Sequence, residues 1–294
     1  MTAIEREYLV EGFRFAGKEW HPDQPKKMLA LHGWLDNAAS FDVIAPLLPD
    51  YHIIALDLPG QGLSDHRSAE GSYNIWDDLT DLARFIDHQG WQNCTLLGHS
   101  RGSIIALLLA VTQPKRISAL IGLDAITPEP KAIDDAPAQL AKYVNGNLSL
   151  VNKRLSSYQS AEDALKARIQ VSGMQEHSAR MIVDRSLYQD GDVYRWTHDA
   201  RLMLSSAFRL TAEHNQAFVN ALSVPCLVLL AEDGLIKRFD LMGELADFST
   251  IEYEVLSGSH HFHMEQQAPL LANRIHAFLK NESAVKGLQT ALSD

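Results

Sequence analysis

The chain contains 294 residues, 46% of them hydrophobic and 21% charged, a composition typical of a folded globular protein and not of a disordered or fibrous one. Asp and Glu outnumber Lys and Arg by 37 to 26, so the formal charge is −11. Because this charge repels nucleic acid and anionic lipid, and the basic residues are scattered, we expect neither as a partner.

The sequence also lacks the features of a membrane-spanning or secreted chain. Its longest apolar stretch, Ile104 to Val111, falls far short of the ~20 residues needed to cross a bilayer. Acidic residues stand near the N-terminus, where a signal peptide requires a basic start. The two cysteines, Cys94 and Cys226, lie in apolar runs and are predicted to be reduced core thiols. We therefore expect a cytoplasmic protein.

Short β-rich runs alternate with helical patterns along most of the chain. The predicted elements, in chain order, are Tyr8–Phe15, Lys27–Leu31, Tyr51–Leu56, Ile75–His88 (helix), Asn93–Leu97, Ser103–Val111 (helix), Ile117–Leu123, Pro225–Ala231, Phe239–Phe248 (helix), Thr250–Leu256 and Gln267–Leu279 (helix). Strands that lack alternating polarity and are separated by helices indicate a parallel sheet covered on both faces. The pattern therefore predicts an α/β fold.

This alternation stops between residues 127 and 220. The stretch is rich in Ala, Gln, Ser and charged residues, and it contains no β-rich run. It is predicted to be a helical insertion. Residues 1–126 and 221–294 would then form the core domain, and residues 127–220 a helical cap.

The sharpest motif is Gly98-His99-Ser100-Arg101-Gly102, which directly follows one predicted strand and precedes a predicted helix. The pentapeptide alone is a weak signal, and its position strengthens it. A serine at a tight strand-to-helix turn is exposed at the carboxyl edge of the sheet, where flanking glycines let strand and helix pass close together. The helix N-terminus favours developing negative charge. Ser100 is therefore the candidate nucleophile.

An attacking serine needs main-chain N–H donors for the oxyanion that forms on its substrate. The N–H of Arg101, directly after the nucleophile, is one candidate. The second is the N–H of Trp34, in the sequence LHGW at positions 31–34, which ends an earlier predicted strand. His32 precedes the glycine of this turn and is predicted to orient the loop, not to transfer protons.

The chain contains 13 histidines that could act as the general base. Residues 257–265 follow a predicted strand and carry three of them, where a loop at the carboxyl edge can reach Ser100. Because small residues precede it, His260 is the predicted base, with His261 and His263 as rivals. A metal-binding histidine cluster is the other interpretation, but no carboxylate or cysteine at ligand spacing completes it. No nucleotide-binding glycine motif is present, so no cofactor is expected.

The sequence resembles the serine-type α/β-hydrolases over essentially the whole chain. The resemblance rests on the order of nucleophile and histidine and on three loop motifs. Residues 31–42 (LHGWLDNAASFD) look most like the serine hydrolase-like subgroup, and residues 57–64 (DLPGQGLS) match the superfamily's loop after the fourth strand. His260, His263 and Glu265 fit its G-x-[GS]-H-x-x-H-x-E ending. The resemblance implies an α/β-hydrolase fold, with a mostly parallel eight-stranded sheet flanked by helices and a cap that roofs the active site.

The acid of the triad is where this sequence departs from the family's pattern. The family usually offers a carboxylate after the seventh strand, in a G-x-x-D loop, whereas residues 231–236 read AEDGLI and place a glycine there. Asp233 would serve if the loop were one residue shorter. Asp124, which lies 24 residues past Ser100, stands at a second location used by some relatives. Asp124 and Asp233 are both candidates, and Asp240 is a third.

The serine nucleophile selects among the chemistries of this fold. Haloalkane dehalogenases and epoxide hydrolases of the superfamily use an aspartate at this turn, so Ser100 disfavours both and favours acyl transfer to water. We predict a carboxylesterase-type hydrolase of small, fairly apolar esters, working without cofactor or metal as a monomer or small homo-oligomer. The alternatives are a carbon–carbon bond hydrolase, a cofactor-free haloperoxidase activity on the same triad, and a non-catalytic ligand-binding module.

Overall fold

The computed structural model describes residues 2–150, 156–246 and 251–291. The strands in these ranges are β1 (Ile4–Val10), β2 (Phe13–Trp20), β3 (Lys26–Leu31), β4 (Tyr51–Leu56), β5 (Cys94–His99), β6 (Ile117–Leu123), β7 (Ser157–Tyr158), β8 (Leu187–Asp190), β9 (Val193–Trp196), β10 (Cys226–Asp233) and β11 (Ile251–Ser259). The helices are α1 (Ile75–His88), α2 (Arg101–Thr112), α3 (Ala136–Leu150), α4 (Ala161–Ser172), α5 (Glu176–Ser186), α6 (Ala212–Asn220), α7 (Leu241–Ala246) and α8 (Ala268–Ala291).

Eight of the strands form one sheet in the order β1-β2-β4-β3-β5-β6-β10-β11. Strand β2 pairs antiparallel with both β1 and β4, whereas the pairs from β4 through to β11 are parallel. The central strands are buried almost throughout, as expected for apolar strands with helices on both faces. The predicted mostly parallel, eight-stranded sheet of an α/β-hydrolase fold is confirmed.

Alternate side chains of one strand feed two separate parts of the core, because successive residues of a strand point to opposite faces. In β3, Leu29 and Leu31 belong to the cluster that includes the apolar side of α1. Met28 and Ala30 belong to the cluster that includes α8. Burying one such large side chain contributes about 1.5–3 kcal/mol, so both faces of the sheet stabilise the fold.

The first predicted strand is a hairpin in the structure. The β-rich run Tyr8–Phe15 is interrupted at Glu11 and Gly12, which have positive φ angles of 48° and 86°. The chain reverses there, so that Val10 pairs with Phe13 in an antiparallel ladder. A two-residue turn with positive φ at both positions matches the twist of hairpin strands, and a glycine is its usual sequence signal.

Helix α7 and the two cysteines agree with the sequence pattern. The predicted helix Phe239–Phe248 corresponds to α7; its last two residues, and Thr250 of the following predicted strand, lie outside the described residues. Cys94 and Cys226 are free and buried, as predicted. Within the described ranges, no helix combines the length and apolar character that crossing a membrane requires.

Residues 127–220 carry helices α3 to α6 and also a small sheet of three strands in the order β7-β9-β8. The prediction that this stretch contains no strands is therefore wrong. Strands β8 and β9 form a hairpin with Gly191 and Asp192 as its two loop residues, and Gly191 has a φ of 61°. A glycine at the first of two loop residues is a hairpin signal, but these strands are short and partly exposed, so no buried β-rich run accompanies it. The division into core and cap stays a prediction.

Polar contacts join residues 127–220 to loops at the carboxyl edge of the main sheet. Asn37, after β3, donates hydrogen bonds to Ile182 O at 2.8 Å and Ser186 Oγ at 2.6 Å. Arg185 of α5 places its Nε 3.0 Å from both carboxylate oxygens of Asp57, after β4. The segment therefore contacts the edge at which parallel strands end, where α/β sheets usually form their binding sites.

Candidate active site

Ser100 occupies a strained turn between β5 and α2. Its φ of 52° and ψ of −119° lie outside the regions that non-glycine residues ordinarily adopt. The glycines on either side permit the close packing around it. A Cβ on Gly98 would lie 2.4 Å from Ser103 Cα, and one on Gly102 would lie 1.9 Å from Leu31 O. The turn thus presents Ser100, partly exposed, at the N-terminus of α2.

His260 lies directly after β11 and pairs with Asp124, which directly follows β6. The His260 Nδ1 to Asp124 Oδ2 distance is 2.5 Å. The Asp124 carboxylate is fully buried, and it also accepts hydrogen bonds from Ala231 N at 2.9 Å and Leu235 N at 3.0 Å. Because a carboxylate only accepts, Nδ1 of His260 carries the proton and Nε2 keeps its lone pair.

The surroundings of His260 favour its neutral form. Burial lowers the pKa of the imidazole; the hydrogen bond to Asp124 opposes this shift, and neighbouring His99 adds to it. The net change in the His260 pKa is downward. A neutral imidazole with a free lone pair is the form that a general base requires at neutral pH.

Asp233 does not reach the histidine. Its side chain is 62% exposed and pairs with Lys237, and the third candidate acid, Asp240, accepts a hydrogen bond from a main-chain N–H of α7. Gly234 packs against Asp124, since a Cβ on Gly234 would lie 2.2 Å from Asp124 Oδ2. The glycine at the family's usual acid position therefore makes room for a carboxylate that arrives from β6. Of the acids left open by the sequence, Asp124 contacts the imidazole and Asp233 pairs with Lys237 instead, so the geometry favours Asp124, whose role as the triad acid stays a prediction.

His99, the residue directly before Ser100, contacts His260. His99 Nε2 donates a hydrogen bond to His260 O at 2.9 Å, and the centroids of the two rings are 4.7 Å apart. Within the described part of the chain, the Ser100 hydroxyl has no hydrogen-bond partner. Catalytic hydrogen bonds often tighten only when substrate is bound, and the pairing of Ser100 with His260 stays a prediction.

The predicted oxyanion donors belong to segments beside Ser100. Arg101 is the first residue of α2, and an N–H in the first turn of a helix has no carbonyl partner within that helix. Trp34 follows Gly33, on which a Cβ would lie 3.3 Å from Ser100 Cβ. The turn here is closed by a hydrogen bond from Asp36 N to Gly33 O at 3.2 Å, which does not use the Trp34 N–H. The catalytic role of both N–H groups stays a prediction.

His32 fixes the loop that carries Trp34. It is fully buried, and its Nδ1 donates a hydrogen bond to Gly33 O at 2.7 Å while its Nε2 accepts one from Leu58 N at 3.0 Å. Burial also lowers the pKa of His32. With both ring nitrogens occupied, His32 holds the loop in place, which agrees with the orienting role predicted from the sequence.

The rival histidines lie in a buried cluster next to His260. The ring of His99 lies 4.9 Å from that of His261 and 4.2 Å from that of His263, measured between centroids. His263 Nε2 pairs with Ser40 Oγ at 2.9 Å. Burial lowers the pKa of both rivals, that of His261 to about 4. The carboxylate beside His261 is that of Asp36, whereas Asp124 contacts His260.

Asp36 and Arg168 are polar residues of this cluster that sequence reasoning missed. Asp36 Oδ2 lies 3.3 Å from His261 Nε2 and 3.6 Å from His99 Nδ1, and Asp36 Oδ1 pairs with Arg168 of α4. Burial alone would raise the pKa of Asp36, but His261 and Arg168 outweigh it and hold the pKa well below its usual range. A pair separated by 132 positions has no local signature in a sequence.

Comparisons with known proteins agree with this architecture. The family model described as the alpha/beta hydrolase fold matches residues 27–169. A serine hydrolase-like protein of Danio rerio is 26% identical over 262 residues, which cover 84% of this chain and 80% of that protein. The crystal structure of a hypothetical protein from Pseudomonas aeruginosa PAO1 is 34% identical and superposes with a TM-score of 0.87, covering 94% of this chain and 98% of that one.

The chain therefore belongs to the α/β-hydrolase family. Within it, the chain is similar to the serine hydrolase-like proteins. A thioesterase domain from the curacin biosynthetic pathway has the same fold, with a TM-score of 0.82 at 22% identity over 94% of this chain and 100% of that domain.

Proposed function

We propose that this protein is a serine hydrolase that cleaves small, fairly apolar carboxylic esters through an acyl-enzyme intermediate. The observation that carries the proposal is the 2.5 Å hydrogen bond from His260 to the buried carboxylate of Asp124, beside the strained turn at Ser100. Strain at a single residue and a buried, oriented imidazole are features that cluster at catalytic sites. Similarity to proteins named serine hydrolase-like and thioesterase supports acyl transfer.

In the proposed reaction, Ser100 Oγ attacks the ester carbonyl while His260 Nε2 accepts the hydroxyl proton. The carbonyl electron pair moves to its oxygen, which the N–H groups of Trp34 and Arg101 would stabilise by up to ~3 kcal/mol each. Asp124 stays ionised, holds the imidazole in one tautomer and stabilises its charged form. The intermediate then collapses, His260 protonates the departing alcohol, and the acyl group stays on Ser100.

Water completes the cycle by the same route. His260 takes a proton from the attacking water, a second tetrahedral intermediate forms at the acyl carbon, and its collapse returns the proton to Ser100 Oγ. The products are a carboxylic acid and the free enzyme. These steps need only side chains and main-chain donors of this chain.

Trp34 supports the preference for an apolar substrate. Its side chain is about half exposed, next to the loop that packs on the nucleophile. Its Nε1 donates a hydrogen bond to Leu202 O in the 127–220 segment at 3.1 Å, so the indole ring is held by that segment. A fixed, exposed indole offers a flat apolar surface to a bound acyl or alcohol group. The predicted cap would then set the size of the substrate.

Hydrolysis of a p-nitrophenyl ester series, from acetate to long acyl chains, tests the proposal. Ser100→Ala and His260→Ala should abolish turnover, and Asp124→Asn should lower kcat on the order of 10³- to 10⁴-fold, as loss of the acid does in other triads. Asp233→Asn is the matched control, and it should retain activity because its side chain points to solvent. Equal loss in Asp124→Asn and Asp233→Asn would contradict the assignment of the acid.

A fluorophosphonate probe separates the nucleophile from the substrate. It should label Ser100 in the wild type and leave Ser100→Ala unlabelled. Labelling without ester turnover would show a competent serine whose substrate is not a simple ester. If the folded wild type resists the probe, the hydrolase proposal fails and a ligand-binding module on the same fold becomes the better description.

A further inference from the structure

The active site contains a second chemical feature, a group of three imidazoles. One ring nitrogen from each of His99, His260 and His261 lies within 4.8 Å of the other two. The three ring centroids are 4.7 to 4.9 Å apart, so the rings surround a common point. Imidazole nitrogens are preferred ligands of Zn²⁺, Ni²⁺ and Cu²⁺. The proposed triad base is one of the three.

His99 has one ring nitrogen, Nδ1, that makes no hydrogen bond within the described part of the chain. Its Nε2 must carry the proton, because it donates a hydrogen bond to the carbonyl oxygen of His260. Its Nδ1 is buried, with no hydrogen-bond partner among the described residues. The facing group is Asp36 Oδ2 at 3.6 Å, which is also an acceptor. A cation placed between two such acceptors would be stabilised by both.

The other ring nitrogens are held as they are in known metal sites. A metal-binding histidine usually donates its second N–H to a carboxylate or a main-chain carbonyl, which fixes the tautomer and the ring orientation. His260 donates in this way to Asp124, and His99 donates to the His260 carbonyl. Asp36 lies 3.3 Å from His261 Nε2, so its carboxylate is available as a fourth ligand or an outer partner.

The spacing of the nitrogens indicates an adaptable site and not a preformed one. A tetrahedral Zn²⁺ with bonds of about 2.0–2.1 Å needs nitrogen atoms about 3.4 Å apart. From separations of up to 4.8 Å, the nitrogen atoms would have to approach one another by up to about 1.4 Å. His260 is the most exposed of the three, with 21% of its side chain accessible, and it provides the route by which an ion enters.

We propose that His99, His260 and His261 bind a transition-metal ion such as Zn²⁺, and that the bound ion inhibits this protein. The ion would occupy Nε2 of His260, which then has no lone pair to accept the Ser100 proton. Metal binding itself is independent of the proposed hydrolysis, whereas the inhibition rests on it. The two can therefore be measured separately.

Binding is tested in the Ser100→Ala protein, by calorimetry with Zn²⁺ and by the visible absorption of Co²⁺. Tetrahedral Co²⁺ should give intense bands with one tight equivalent. His99→Gln and His261→Gln, each combined with Ser100→Ala, should weaken binding at least 10-fold; glutamine at position 99 can still donate to the His260 carbonyl. His276→Gln is the matched control, because His276 lies on α8 and bonds Leu47 O instead. Equal affinities in all three variants would overturn the site.

Inhibition is tested on the wild type with the fluorophosphonate probe. Zn²⁺ should slow the labelling of Ser100 at least 10-fold, and EDTA should restore the rate. In His261→Gln the labelling rate should be the same with and without Zn²⁺ at that concentration. Unchanged labelling of a zinc-loaded wild type would refute the inhibition. A wild type that never labels would refute the proposed hydrolase, while the Co²⁺ bands would still decide the metal site.

Discussion

Gly234 and Asp124 depend on each other in the candidate triad. The Asp124 side chain extends from the end of β6 to the end of β10 and the loop after it, where Ala231 N and Leu235 N respectively donate hydrogen bonds to it. The carboxylate fills the space that a Cβ on Gly234 would need. An acid at the end of β6 therefore requires a glycine after β10, the strand beside β6 in the main sheet.

Gly234→Ala should therefore lower activity without changing any group that performs chemistry. The φ of −96° at this position lies outside the left-handed region that favours glycine, and a Cβ would collide with the Asp124 carboxylate. A catalytic group displaced by about 1 Å can cost on the order of 10²-fold in rate. The rate of ester turnover or of fluorophosphonate labelling measures the effect. Asp233→Asn, one residue earlier, should react like the wild type; a normal rate for Gly234→Ala would contradict the coupling.

Residues of the site differ in how well the sequence predicts them. Ser100 and His260 stand in contiguous motifs, and those motifs encode the local turn that presents each side chain. The acid could not be chosen in the same way, because Asp124 and Asp233 both follow predicted strands. Only the packing of two loops decides which carboxylate turns inward. Arg168 was missed for a related reason, since its partner Asp36 is distant in the chain.

At the scale of elements, the site depends on the close contact between β3 and α2. Gly102 lies in the first turn of α2, and a Cβ there would lie 1.9 Å from Leu31 O at the end of β3. A main-chain oxygen cannot move aside as a flexible side chain can. The helix would therefore have to shift, and with it the turn that holds Ser100.

Gly102→Ala should lower the free energy of unfolding by roughly 2–4 kcal/mol, as expected for overpacking against a main chain. Gly146→Ala in α3 is the matched control, since its Cβ would meet only the end of the Leu204 side chain at 3.1 Å. Alanine has a helix propensity about 1 kcal/mol better than that of glycine, so the control should keep or gain stability. Urea denaturation measures both variants, and equal midpoints would contradict the packing argument.

The strands and helices that could be predicted are those whose burial produces a hydrophobic pattern in the sequence. The buried parallel strands and the amphipathic helix α1 follow from hydrophobic spacing. The hairpins β1–β2 and β8–β9 did not emerge, because each depends on a short turn with positive φ and on main-chain pairing between partly exposed strands. Their signals, Gly12 and the Gly191-Asp192 pair, were in the sequence but carry little hydrophobic pattern.

At the scale of the whole molecule, a buried ion pair joins residues 127–220 to the main sheet. Arg185 of α5 contacts Asp57, which is fully buried, and its Nη1 lies 2.6 Å from Glu5 Oε2 on β1. Asp57 also accepts hydrogen bonds from Ala38 N at 2.7 Å and Leu63 N at 2.8 Å. The same carboxylate therefore anchors two loops at the carboxyl edge of the sheet as well as α5.

Arg185→Met should destabilise the whole protein, because it leaves the Asp57 charge buried without its partner. Removing one member of a buried pair typically costs about 3–5 kcal/mol, and the two remaining main-chain donors should keep the loss near the lower value. Arg180→Met is the matched control on the same helix: Arg180 is exposed and pairs with Glu162 and Glu176, so stability should hardly change. The free energy of unfolding in urea measures the difference.

A second substitution identifies the cause of this loss. Adding Asp57→Asn to Arg185→Met removes the unpaired charge, so the double variant should be more stable than the sum of the two single effects predicts. If Arg185→Met instead behaves like Arg180→Met, the ion pair contributes no stability. The attachment would then reside in the apolar cluster in which Leu165, Ile182 and Val183 surround Met264. Because Met264 lies four residues past His260, that result would tie docking of the segment to the loop that carries the proposed base.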